Sequence, residues 1–207
     1  MKRTKEITIQ IHKPSISEFL FFLLSGAVVS VPLTLFLEQN FGVPLVSELS
    51  GFSFTFVTIA VFAPLTEEFA KAFPLFYRHG ETQRSIFNLA LSVGLGFGIV
   101  EFLTYFFTYG AGIIPDRTPG LFFHPASTSI TAFGIATRKP LPYYLAAVSL
   151  HFSNNFLAIV APRLPSSVII LAVTLYVSWT LHRKTKEKFV ETDYATVKER
   201  VSPRKIS

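Results

Sequence analysis

Long apolar runs alternate with short polar stretches along this chain, and the runs have the length of membrane spans. An α-helix needs about 20 predominantly apolar residues to cross a bilayer. Six runs approach or exceed that length, at about residues 19–37, 51–77, 85–109, 121–137, 141–160 and 166–181. The pattern predicts an all-α, polytopic membrane protein with about six transmembrane helices in a single transmembrane domain over residues 1–181.

The stretches between these runs are short, and the chain ends are polar. A basic segment covers residues 1–14, and a charged tail covers residues 182–207, which we expect to lie partly without regular structure. Ser15 and Glu18 have the spacing of a capping box, so the first helix is predicted to begin there. Loops are predicted at residues 38–50, 78–84, 110–120, 138–140 and 161–165.

Composition agrees with a protein that is solvated by lipid. Half of the 207 residues are hydrophobic, 23 are Phe and only 15% are charged, against about 25% charged in soluble domains. The composition predicts an integral protein of the cell membrane with the lipid bilayer as a partner. The chain has no Cys, which excludes disulfides, thiolate metal sites and cysteine nucleophiles. The first apolar run lacks a small-residue cleavage site, so we expect no cleavable signal peptide.

Basic residues predict the orientation. Sixteen of the nineteen Lys and Arg residues lie in the two chain ends and in loops 78–84 and 138–140, whereas the alternate loops carry only Arg117 and Arg163. Because cytoplasmic loops carry the excess of Lys and Arg, both termini are predicted to be cytoplasmic. The net charge of +6 therefore reflects membrane orientation, and no nucleic-acid partner is expected.

Three charged residues lie together inside the second apolar run. They are Glu67, Glu68 and Lys71. A charge at the bilayer centre costs about 2.5–3.5 kcal/mol even on the lenient insertion scale, so ionisable residues inside spans mark functional sites. Glu67 and Lys71 are four apart and share a helix face, so they can pair, and Glu68 is close by. An ion pair that only locks helix packing is the alternative reading.

Four more polar residues are predicted to lie at a similar depth. At about 1.5 Å of rise per residue, the acids of the second run fall within a layer of about 10 Å together with residues of three other spans. These are Glu101, His124, His151 and Asn155. Each alone can be a helix cap or an interhelical hydrogen bond, but a shared depth favours one site. Gly94 and Gly98 form a small-xxx-small pair that predicts close approach of a neighbouring helix.

Carboxylates and imidazoles at one depth support two kinds of chemistry. They can bind zinc or another divalent metal, with an open position for substrate. They can also activate a water without metal, with a carboxylate as general base and His or Asn donors for the oxyanion. The chain has no His-Glu-x-x-His and no Gly-x-Ser-x-Gly motif, so the common soluble hydrolase patterns are absent.

The order of these motifs resembles the PrsW family. The motifs are Glu67-Glu68-x-x-Lys71, Phe97-x-x-x-Glu101, His124 leading into Thr128-x-x-Thr131-x-x-Gly134, and His151-x-x-x-Asn155. That family belongs to a superfamily with the type II CAAX prenyl endopeptidases and the abortive-infection proteins. The resemblance covers about residues 55–160.

The resemblance implies an intramembrane endopeptidase that cuts transmembrane or juxtamembrane segments of membrane-anchored proteins such as anti-sigma factors. Glu67 and Glu68 would be the catalytic acids, with Lys71 keeping the adjacent acid ionised. Glu101 stands where the CAAX enzymes have a His. A metal or oxyanion role would fall to Glu101, His124, His151 and Asn155.

Two other functional classes remain open. The superfamily is similar to the multi-pass scaffold subunit of γ-secretase, so a non-catalytic scaffold is one alternative. A transporter is the weaker alternative because the chain shows no internal repeat. An enzyme requires the acids and imidazoles around one water-accessible cavity, a scaffold would have them dry and mutually satisfied, and a transporter would open to both sides. A homo-oligomer is compatible with each class.

Overall fold

The computed structural model describes residues 13–77, 82–161 and 166–187. In these ranges the regular secondary structure consists of helices, with no β-strand. The all-α prediction is therefore confirmed. A 3₁₀ turn at Ala111–Ile113 precedes a short helix at Ile114–Arg117. In chain order the helices are α1 (Ile16–Val46), α2 (Gly51–Tyr77), α3 (Gln83–Tyr109), α4 (Ile114–Arg117), α5 (Gly120–Ala136), α6 (Pro140–Val160) and α7 (Ser166–Lys184).

Three of these helices are long and apolar enough to cross a membrane by length and composition. They are α1 with 31 residues, α2 with 27 and α3 with 27. The three later predicted spans are helices too, but α5 has only 17 residues, and α6 carries several polar side chains. The chain is thus an integral membrane protein, while the count of six spans stays a prediction.

The first helix is longer than its apolar run. The predicted loop 38–50 is wrong over residues 38–46, because α1 continues to Val46 through π-helical turns at Gly26–Ser30 and Glu38–Gly42. Polar residues ended the predicted span but do not break a helix, and the carboxylate of Glu38 accepts a hydrogen bond from Thr66 of α2 at 3.4 Å. The predicted capping box at the start of α1 is confirmed.

The other connections differ in smaller ways. The predicted loop 110–120 contains the 3₁₀ turn and α4. Helix α7 continues to Lys184, three residues into the predicted tail. Parts of other sequence-based predictions lie outside the described residues, namely those for segments 1–14, 78–84, 161–165 and 182–207.

Helices α3 and α5 form the centre of the molecule. Helix α5 is buried on almost all sides, as is typical of a helix with neighbours all round. A Cβ on Gly94 would overlap the backbone at His124 and Pro125, and one on Gly98 would contact the His124 ring at 3.3 Å. The predicted close approach at Gly94 and Gly98 is therefore present, and it sets His124 against α3.

A second close crossing joins α1 to α3. A Cβ on Gly26 would overlap the carbonyl of Val93, and one on Gly96 would overlap the carbonyl of Leu23. Small residues at such crossings let helix backbones approach closely in membranes. Helix α3 is thus held by backbone contact on two sides.

Large apolar side chains cover much of the outer surface. Phe107 is 80% exposed and Phe21 is 63% exposed. Contiguous apolar exposure on this scale marks a surface that contacts lipid or another partner rather than water. Further exposed examples on several helices are Leu24, Phe36, Phe52, Leu141, Ile169 and Trp179.

Candidate active site

The acidic pair lies on α2, just after a local change in helix geometry. A π-helical stretch at Phe56–Phe62 is followed by α-helical residues Ala63–Ala72, with Pro64 in their first turn. Successive residues of an α-helix point about 100° apart, since a turn takes 3.6 residues. Glu68 therefore points into the bundle, where its side chain is fully buried, while the Glu67 side chain keeps 13% exposure.

The Glu68 carboxylate is the centre of a buried hydrogen-bond network. Its Oε1 atom accepts hydrogen bonds from Lys71 Nζ at 2.7 Å, Ser127 Oγ at 3.0 Å and His151 Nδ1 at 3.0 Å. Three donors on one oxygen favour the carboxylate form. The ion pair of Lys71 is with Glu68, at a spacing of three residues, and not with Glu67 at four.

His124 lies between two charged groups. Lys71 Nζ donates to His124 Nδ1 at 2.9 Å. An ammonium has donors only, so Nδ1 must accept and the proton is assigned to Nε2. That Nε2–H donates to Glu101 Oε2 at 2.5 Å, so this His124 is a neutral imidazole with no free lone pair. The Phe97 ring packs against both Lys71 and His124.

Glu101 extends this chain towards α4. Its second oxygen, Oε1, lies 3.8 Å from the guanidinium of Arg117. That guanidinium also stacks on the Tyr105 ring at 3.4 Å. Acidic and basic groups therefore alternate from Glu68 through Lys71 and Glu101 to Arg117.

Glu67 and His151 make up the unsatisfied part of the site. Because His151 Nδ1 donates to Glu68, the Nε2 atom of His151 carries a free lone pair. This Nε2 lies 3.8 Å from Glu67 Oε2. Among the described residues, Glu67 Oε2 and Glu68 Oε2 are buried atoms without a hydrogen-bond partner. Two facing acceptors need a proton, a water or a cation between them.

A cavity of about 600 Å³ opens beside this pair. It is a site that water can occupy, because its volume is many times that of one molecule and its walls are polar in part. A smaller cavity of about 60 Å³ adjoins it near His124. Residues of five helices line the larger one, among them Glu38, Glu67, Glu101, Arg117, His151 and Asn154.

Asn155 lines both cavities but points its amide elsewhere. Its Nδ2 donates to the backbone carbonyl of Ile59 at 3.0 Å, and its Oδ1 accepts from Asn154 at 3.2 Å. The structure thus brings together Glu67, Glu68, Lys71, Glu101, His124 and His151, and it places Asn155 at their edge as a bridge from α6 to α2.

Sequence reasoning missed three residues of this site. Ser127 donates to Glu68, and its only sequence signal is its position one turn after His124. Arg117 contacts Glu101, although the sequence placed it in a loop. Glu38 lines the cavity, and it was missed because α1 was predicted to end just before it.

The donor types at the site suit zinc, but their arrangement does not form a metal site. Both nitrogens of His124 are in hydrogen bonds, and Glu68 Oε1 already accepts three. Among the described residues, no three His, Asp or Glu side chains are grouped so that they could hold a metal ion. Catalytic zinc sites usually have three protein ligands, so the described arrangement does not fit one.

Comparison with known proteins identifies the family. The family of PrsW intramembrane metalloproteases matches residues 14–181. No curated protein and no solved structure matches the chain. The match covers most of the chain and includes all seven predicted site residues. The chain therefore belongs to the PrsW family of intramembrane metalloproteases.

Proposed function

We propose that this protein is an intramembrane endopeptidase in which Glu67 is the general base. The observation that carries the proposal is the pair of facing acceptors, Glu67 Oε2 and His151 Nε2, 3.8 Å apart beside a cavity of about 600 Å³. Both atoms have free lone pairs, whereas Oε1 of Glu68 and both nitrogens of His124 are already in hydrogen bonds. A water bridging the two would be held with its own lone pair free for attack.

The proposed step is ordinary peptide hydrolysis. Glu67 removes a proton from the water, and the oxygen attacks the scissile carbonyl carbon to give a tetrahedral oxyanion. The carbon–nitrogen bond then breaks, and the leaving amine takes the proton from Glu67. An oxyanion needs preorganised hydrogen-bond donors, and Arg117 and Asn154 carry donors that line the same cavity.

Glu68 and Lys71 have a positioning role in this proposal. Glu68 accepts a hydrogen bond from the Nδ1–H group of His151. The proton therefore stays on Nδ1, and the free lone pair stays on Nε2, which faces Glu67. Lys71 balances the charge of Glu68 and fixes His124 against Glu101. Removing these groups would disturb the tautomer and the packing rather than the attacking water.

The proposed substrate is a transmembrane or juxtamembrane segment of a membrane-anchored protein. The family description implies such substrates and also a metal cofactor. Because the described donors do not form a three-ligand metal site, the steps above use side chains alone. Metal content of the purified protein, measured on the same samples as activity, tests the cofactor directly.

A non-catalytic scaffold is the second candidate. The hydrogen bonds that join Glu68 Oε1, Lys71, His124 and Glu101 to one another are what a scaffold would have. The Glu67 oxygen beside the cavity favours the enzyme, because a carboxylate that faces a water-accessible cavity inside the bundle is costly to place there and has no use in a scaffold.

The proposal is tested by replacing Glu67 and His151 in a cleavage assay on single-span peptides in detergent or liposomes. Glu67→Gln should lower cleavage about 100- to 10,000-fold, since that is the usual contribution of a general base, and Glu67→Ala and His151→Ala should abolish it. Thermal unfolding should stay near wild type for Glu67→Gln. The matched control is Glu68→Gln, which removes a charge from the buried hydrogen-bond network. It should lower the melting temperature more than Glu67→Gln does. Unchanged cleavage by Glu67→Gln would refute the assignment.

A further inference from the structure

Asn155 contacts the backbone of α2 at a point where that helix lacks an internal donor. In an α-helix the carbonyl of Ile59 would accept the N–H of Ala63. Here the N–H of Ala63 donates instead to Thr58, because residues Phe56–Phe62 form a π-helical stretch. The next N–H in the π register would come from residue 64, which is Pro64 and has none. The helix itself therefore offers the Ile59 carbonyl no partner.

The side chain of Asn155 supplies the missing donor. Its Nδ2 lies 3.0 Å from the Ile59 oxygen, and its Oδ1 is held by Asn154, which fixes the amide orientation. Non-helical backbone at membrane depth is tolerated where neighbouring side chains satisfy its polar groups. Asn155 thus satisfies the carbonyl that the π-to-α transition before Glu67 leaves without a donor inside the bundle.

The hydrogen bond from Asn155 to Ile59 joins the same two helices as the proposed catalytic pair, Glu67 and His151. Asn155 lies one turn after His151 on α6, and Ile59 lies about two turns before Glu67 on α2. Both contacts join the same two helices, so the bridge sets the separation of α2 and α6 where Glu67 Oε2 faces His151 Nε2 at 3.8 Å. A second bridge, from Tyr144 to the Leu65 carbonyl at 2.8 Å, lies on the other side of Pro64.

We propose that Asn155 is a positioning residue that caps the Ile59 carbonyl left without a donor by the π-turn and Pro64, and that it thereby fixes Glu67 against His151. This role rests on the proposed function, and it differs from direct contact with the oxyanion. The two roles make different predictions when Pro64 is replaced, because residue 64 then regains an N–H, and its acceptor in the π register seen at Ala63 is the Ile59 carbonyl.

The test is a double-mutant cycle on the full-length protein, using Asn155→Ala and Pro64→Ala. We expect Asn155→Ala alone to lower kcat about 10- to 100-fold, a range typical of lost positioning, with KM within about threefold of wild type. In the Pro64→Ala background, the same substitution should change kcat by less than about threefold. Asn155→Asp keeps the size but loses the donor, so it should behave like Asn155→Ala and replaces it if the alanine variant does not fold.

The matched control is Ser153→Ala, on the same helix, whose hydroxyl bonds only to the Ser149 carbonyl in its own helix. It should leave kcat unchanged in both backgrounds. An equal loss of kcat from Asn155→Ala in both backgrounds would show direct action on the reacting atoms and overturn the proposal.

Melting temperatures of the four proteins in the cycle separate this inference from the proposed function. The four are wild type, Asn155→Ala, Pro64→Ala and the double variant. If cleavage is absent even in wild type, the cap is still tested by stability. Asn155→Ala should then lower the melting temperature more with Pro64 present than in the Pro64→Ala background. Equal losses in the two backgrounds would overturn the cap as well.

Discussion

Lys71 has no solvent contact, and its ammonium lies between the carboxylate of Glu68 and the imidazole of His124. Removing one partner of a buried ion pair costs about 3–5 kcal/mol, because the other charge is left uncompensated. The pair therefore determines stability at this site more than its own net contribution would suggest.

Lys71→Met tests this at the level of one side chain. It should destabilise the protein by about 3–5 kcal/mol, measured by thermal or denaturant unfolding in detergent. The double variant Glu68→Gln with Lys71→Met should be more stable than Lys71→Met alone, since it removes the stranded charge. The exposed Lys139→Met serves as the control and should have little effect. A Lys71→Met protein as stable as wild type would contradict the ion-pair account.

The residues of this buried cluster were predictable from sequence because ionisable groups are rare inside apolar runs. The choice between Glu67 and Glu68 as partner of Lys71 was not predictable. Spacings of three and four residues both lie on one helix face, and the choice depends on donors from other helices, namely Ser127 on α5 and His151 on α6. The amide of Asn155 was likewise expected at the reaction centre, and only the π-turn explains why it contacts a carbonyl.

Helix α3 is held by close backbone contact with two neighbouring helices. Gly26 and Gly96 bring its backbone against α1, and Gly94 brings it against α5 at His124. The small-residue spacing at Gly94 and Gly98 was visible in the sequence. The crossing with α1 was not, because Gly26 and Gly96 belong to different helices and carry no shared pattern.

Gly96→Ala tests the α1–α3 crossing. The new methyl group would overlap the Leu23 carbonyl, so the helices must separate, and overpacking of this kind typically costs about 1–3 kcal/mol. Thermal unfolding measures the loss. Gly112→Ala is the matched control, because a Cβ there meets nothing within 4 Å. Equal stability of the two variants would show that the crossing is looser than described.

Helix boundaries were the least predictable feature of the elements. Hydropathy located every apolar run, but it ended the first span just before Glu38. In a hydropathy pattern, polar residues on a continuing helix cannot be distinguished from a loop. The hydrogen-bond partner of Glu38, Thr66, is 28 residues away, and a local pattern cannot reveal such a contact.

For the whole molecule, charge alternation predicts six spans with both termini in the cytoplasm. The absence of Cys gives a clean background for labelling. The single variants Ser47→Cys and Gly112→Cys should each react with a membrane-impermeant maleimide on intact cells. Lys139→Cys should react only after permeabilisation. Labelling of positions 112 and 139 from the same side would remove α5 as a span, and the reverse pattern would invert the orientation.

The seams between helices differ in how easily they part. At the glycine crossings of α3, the helix backbones are in direct contact, so the helices cannot move apart there without losing backbone packing. Between α2 and α6, the described contacts all depend on side chains. They are three hydrogen bonds from Tyr144, His151 and Asn155, and the ring of Phe56 edge-on to Phe152 and Phe156. Side chains can change rotamer while the backbone stays in place, so this seam can part more easily than the glycine crossings. A lateral gate for a peptide arriving from the lipid is therefore expected there, directly beside Glu67.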